Sequence, residues 1–160
     1  MKTNAKRIFF EHQDSRKNCR LHVINNALGR LVLSRNQFYA YCDQFDMQYH
    51  CQGSREFFFI ESNDNILSFI LNKFHIQTTY YSADKPPNFT EETCENMIAV
   101  MAFDDEHIWC DKKIGDLWYR LDSLSKQPEV IDFRRVFARH VLGWIIVWKK
   151  DTTSDCLVVH

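Results

Sequence analysis

Apolar residues change their spacing about half-way along the chain. Up to about residue 74 they recur every three or four positions; after it they alternate or run together. Asn18 stands before "CRLHVINNAL" and Gly29 follows it, which predicts a helix with a cap and a stop. Ser34 and Gln37 have capping-box spacing ahead of "FYAYCDQF". Asp64 can cap "NILSFILNKF", where Ile66, Phe69, Ile70 and Lys73 fall at helical spacing. Between these helices "DMQYHCQGSREFFFIESN" has no clear period and reads as a loop or a helical arm. "PPN" at 86–88 is a loop.

The second half predicts strands. "HIQTTYYS" alternates, "MIAVMAF" is a buried apolar run, and "HIWCDKKIGDLWYRLDS" is a hairpin turning at Gly115-Asp116. A last helix over about 130–142 would stop at Gly143, and "WIIVWKK" would be a closing strand. Helices first and antiparallel strands later make an α+β pattern. The 160 residues read as one domain, with 151–160 a tail able to fray.

Composition narrows the classes. Net charge is -1 and the basic residues are scattered, which disfavours a nucleic-acid partner. No apolar run approaches a membrane span, and "MKTNAKR" runs straight into "IFFEHQ" without a leader-like segment. The six cysteines contain no CxxC pair, so reduced thiols in an intracellular, cytoplasmic setting are expected, and a monomer is the default. Cys42, His50 and Cys51 could be imagined around zinc. Two of them are adjacent and no fourth ligand has usual spacing, so no metal or cofactor is expected.

The hairpin register suggests chemistry. With residue 114 opposite 117, Asp111 faces Arg120, Lys113 faces Trp118, and His107 lies diagonal to Asp122 on one face. A carboxylate there fixes an imidazole's tautomer and stabilises its imidazolium. The helical half offers Cys19 at a helix start, where partial positive charge favours a thiolate; Arg16, Lys17 and Arg20 act in the same sense. If sheet and helix pack, Cys19, His107 and Asp122 form nucleophile, base and orienter. Gln13, in the loop before the helix, could aim its amide at an oxyanion beside the Cys19 N–H.

Each residue also has a plainer reading. Cysteine often just packs, His107 could be an ordinary strand histidine, and Asp122 could merely begin a turn. His22, three positions after Cys19 on the same face, reads as a packing or supporting residue. Asn25 and Asn26 are poor helix formers, so one of them would bond buried backbone or help orient the site. The joint spacing of Gln13, Cys19, His107 and Asp122 favours catalysis over these readings.

Two blocks carry a resemblance. "FFEHQDSRKNCRLHVINNALG" resembles the opening pattern of the Josephin family of deubiquitinases, and "EHIWCDKKIGDLWYRLDSLSKQPEVI" resembles its second block. In that second block a His is followed fifteen residues later by Asn or Asp, then Ser and a Pro-containing loop; His107 and Asp122 match this. The resemblance covers nearly the whole chain and is weakest over about 45–62. It implies a papain-like cysteine protease fold, with Cys19 as nucleophile, His107 as base and then acid, Asp122 as orienter and Gln13 as oxyanion donor. It also implies an intracellular enzyme that uses no metal and takes ubiquitin or polyubiquitin chains by the C-terminal tail. The acidic run Asp104, Asp105 and Glu106 is a candidate to meet that tail's arginines, with a solvated turn as its plainer reading, and Ile108 and Trp109 are candidates to line its groove. A non-catalytic ubiquitin-binding module, or a protease for another ubiquitin-like modifier, remains open.

Overall fold

The computed structural model describes residues 8–13, 18–56, 62–137 and 140–149. The described residues make an α+β fold, with three α-helices and a six-stranded antiparallel sheet. Helices α1 (Cys19–Leu28), α2 (Arg35–Tyr49) and α3 (Ile66–Lys73) come first. Strands β1 (Thr78–Ser82), β2 (Met97–Phe103), β3 (Ile108–Ile114), β4 (Leu117–Leu121), β5 (Glu129–Ile131) and β6 (Gly143–Trp148) follow. Their spatial order is β1-β6-β2-β3-β4-β5, so the last strand lies inside the sheet. Among the described residues no helix is long and apolar enough to cross a membrane.

The β3–β4 hairpin has the expected register. Cys110 faces Leu121, Asp111 faces Arg120 and Lys113 faces Trp118, around a turn in which Gly115 takes φ 65°. Alternation along these strands feeds two apolar layers. One face, with Met101, Ile108, Cys110 and Ile145, packs under Val23, Ile24, Phe38, Leu67 and Ile70 of the helices. The other, with Trp109, Trp118, Trp144 and Ile146, is covered by Phe89, Val136 and Phe137 from connecting segments. Helix α1 crosses β2 and β3, and Lys112 reaches its last turn, donating to the Ala27 carbonyl at 2.9 Å.

Two expectations about elements are corrected. Asn65, not Asp64, caps α3: its side chain accepts from the Ser68 N–H at 2.9 Å and donates to the Ser62 carbonyl at 2.7 Å. The segment from 130 does not form a long helix among its described residues. Ile131 pairs with Trp118 as the edge strand β5, and Asp132 caps a 3-10 turn over Phe133–Arg135. Gly143 then stops no helix. It opens β6, where a Cβ would stand 2.5 Å from the Tyr81 carbonyl. The capping box is present with both halves, and α2 continues to Tyr49, so part of the unassigned arm is helical. The 151–160 tail lies outside the described residues.

Candidate active site

Cys19 is the first residue of α1, buried where the helix start meets the sheet. Gly29, at φ 74°, closes the other end, its N–H returning to the Asn25 carbonyl at 2.9 Å. The two asparagines between explain why a helix tolerates poor helix formers. Asn26 brackets the backbone of Glu11, accepting its N–H at 2.7 Å and donating to its carbonyl at 3.3 Å. Asn25 accepts from the N–H groups of Val32 and Leu33 and donates to the Leu33 carbonyl and the Glu11 carboxylate. Glu11 also meets His22 Nδ1 at 3.0 Å. His22, Asn25 and Asn26, through Glu11, fasten the stretch leading to Gln13 to the helix that begins at Cys19.

His107 precedes β3 and Asp122 follows β4, so the hairpin register brings them together. His107 Nε2 and Asp122 Oδ1 are 2.6 Å apart, with side chains 12% and 19% exposed. Asp104 holds the approach to β3 by accepting from the N–H groups of Glu106 at 2.9 Å and His107 at 2.8 Å. Cys19 lies near enough to His107 to interact with its imidazole. With Nε2–H donated to Asp122, Nδ1 is the nitrogen left for the thiol. Burial pushes the His107 pKa down. The hydrogen bond and charge of Asp122, with a smaller contribution from Cys19, outweigh it and raise the pKa to about 9.

Gln13 joins the same strand end. Its N–H donates to the Ser123 carbonyl at 2.8 Å, and the Ser123 hydroxyl donates to its side-chain carbonyl. Both side chains are buried. With its oxygen holding that hydroxyl, the Gln13 amide keeps NH₂ as its donor end, the end an oxyanion needs.

The structure therefore gathers Gln13, Cys19, His107 and Asp122 around one helix start and one strand end. Asp105 and Glu106 lie exposed on the turn beside them. Ile108 and Trp109 are 0% and 4% exposed, one in each core layer, and the Trp109 ring lies 5.9 Å from that of His107. Arg20 is also not a surface charge. It is buried, stacks on Phe38 at 5.2 Å and donates to the Arg55 carbonyl at 2.9 Å. Arg16 and Lys17 lie outside the described residues. Sequence reasoning missed Glu11 and Ser123, since no local spacing links Gln13 to a hydroxyl 110 residues away.

Cys42 and Cys110 are buried in the core, where burial pushes their pKa values up, that of Cys42 to about 11. Cys51 is exposed and hydrogen-bonds Asp46 at 3.2 Å, and Cys156 lies outside the described residues. Among the described residues no group of three or more His, Cys, Asp or Glu could hold a metal ion. No protein-family model matches the chain, and no curated protein matches it.

Proposed function

We propose that the chain is a cysteine hydrolase of the papain-like, Josephin type that cleaves after the C-terminal glycine of ubiquitin. The observation that carries the chemistry is His107, hydrogen-bonded to Asp122 at 2.6 Å and near enough to Cys19 for the thiol to help raise its pKa. The choice of ubiquitin is supported by the two sequence blocks that resemble the family.

In this reading the Cys19 thiolate attacks the glycine carbonyl carbon and a C–S bond forms. The oxyanion is held by the Gln13 amide and the Cys19 N–H. His107 gives its proton to the departing lysine amine as the C–N bond breaks, leaving a thioester. Water then attacks, His107 takes its proton, and the C–S bond breaks to release the carboxylate. Asp122 keeps the imidazole oriented and stabilises its charged form throughout. In this reading the exposed Asp105 and Glu106 pair with arginines of the incoming tail. Glu106→Lys is expected to lower kcat/KM on ubiquitin conjugates by about tenfold while leaving Cys19 alkylation by a small neutral reagent unchanged. Equal turnover of ubiquitin would remove that role.

The test of the whole reading is a ubiquitin carrying a C-terminal electrophile, mixed with the protein and with Cys19→Ala and read by intact mass. One adduct on the first and none on the second is expected. An adduct only with another modifier's probe would keep the chemistry and change the substrate. No adduct with any of them would sink the hydrolase reading.

A further inference from the structure

Asn18 stands immediately before Cys19 and does not do what its type and place suggest. Asparagine is a preferred helix N-cap because Oδ1 accepts an N–H of the first turn. Asn18 holds the N-cap position of α1 yet makes no capping hydrogen bond. Its backbone accounts for this. Ser34 and Asn65 cap from extended backbone, at ψ 166° and 164°, whereas Asn18 has ψ 14°.

The uncapped side chain is not turned out to water either. Asn18 is 5% exposed, and its Oδ1 is buried with no hydrogen-bond partner. Its polar neighbours in the site behave otherwise: Gln13, Asn25, Asn26 and Asp122 are all hydrogen-bonded. A buried acceptor without a donor is destabilising, and native proteins keep such groups mainly where something else completes them.

We propose that Asn18 is a substrate-binding residue whose Oδ1 accepts the main-chain N–H of the residue carrying the scissile carbonyl. The proposal rests on the cysteine-hydrolase reading above. The chain connectivity supports it. A carbonyl carbon under attack lies about 3–3.5 Å from the Cys19 sulfur. The N–H of that substrate residue is two bonds away from the carbon, and Asn18 is one peptide, ~3.8 Å between Cα atoms, from Cys19. Gln13 and the Cys19 N–H then serve the carbonyl oxygen, while Asn18 serves the nitrogen of the same residue. The ligand class follows: extended peptide tails with a free amide N–H at the scissile residue. Proline or an N-methylated residue there is disfavoured.

The experiment compares two short Gly-Gly peptides bearing a C-terminal vinyl sulfone. They are identical except that an ester oxygen replaces the last amide N–H in one. Rates of Cys19 labelling are measured on the protein, on Asn18→Leu and on Asn18→Asp. The protein is expected to react with the amide about tenfold faster than with the ester. Asn18→Asp, which keeps an acceptor, should retain that preference, and Asn18→Leu should lose it. Because each ratio is taken within one protein, a change in overall reactivity cancels. The same amide preference in Asn18→Leu, or no labelling of Cys19 by either peptide, overturns the assignment. Peptide labelling with the expected ratios, beside no adduct from the ubiquitin probe, would sink the ubiquitin reading and leave Asn18 in its role.

Discussion

Burial alone would make His107 a weak base; Asp122 and Cys19 reverse that and raise its pKa to about 9. On the proposed hydrolase reading, the imidazolium that protonates the leaving amine therefore persists to about that pH, and activity is expected to fall as pH rises through it. Asp122→Ala removes the largest raising contribution. Its alkaline limb should move down toward the ordinary histidine value, about 6.5, with kcat lowered ~100-fold; an unmoved limb would contradict the orienter role. The raised pKa also bears on stability. The folded-state value exceeds the unfolded one, so the contribution is complete below about pH 6.5 and is lost as pH rises through about 9, which a melting series checks. Ser123 acts differently, by holding the Gln13 amide. Ser123→Ala should lower kcat about tenfold with KM and the alkaline limb unchanged, and Ser123→Thr should recover part of the loss. That Cys19, His107, Asp122 and Gln13 would lie together could be read from spacing because a helix start and a hairpin register are local facts. Ser123 and Glu11 could not, because their roles exist only after distant segments meet.

Elements were legible where turn chemistry and periodicity agreed. Gly115-Asp116 between alternating runs fixed the β3–β4 register, and Ser34 with Gln37 fixed the start of α2. They were misread where two local signals competed. "EVIDFRRVFARHVLG" has apolar spacing that suits a helix, but β4 needs a partner, and Ile131 is buried by pairing opposite Trp118. Tertiary pairing overrides propensity there. "SNDNIL" offers two adjacent cap residues, and only burial separates them: Asn65 is enclosed and bonded at both amide ends, whereas Asp64 is exposed. Asn65→Ala should therefore cost about 1–2 kcal/mol in denaturant unfolding, while Asp64→Ala changes stability by less than about 0.5 kcal/mol. The reverse order would show that α3 starts from Asp64 in solution.

At the scale of the molecule, the candidate site depends on the hairpin that carries His107 at one strand's entry and Asp122 at the other's exit. Asp111 and Arg120 lock that hairpin. Arg120 Nε and Nη2 donate to the two Asp111 oxygens at 2.9 and 3.0 Å, and both side chains are almost fully enclosed. Arg120 also donates to the Arg135 carbonyl at 3.3 Å, tying the segment after β5 to the sheet. Enclosing both charges costs much of what their attraction returns, so the pair need not add net stability over an apolar pair. Removing one partner is another matter. Asp111→Ala leaves a guanidinium in the apolar layer of Trp109 and Trp118 and should cost about 3–5 kcal/mol, a large part of a small domain's stability. Replacing both residues, Asp111→Leu with Arg120→Met, should cost far less in the same urea titration. If the ion pair serves to fix strand register, the double variant should stay folded yet lose activity more than stability, since a small slide between β3 and β4 moves His107 off Asp122. Equal losses of stability in the single and double variants would count against a lock of this kind.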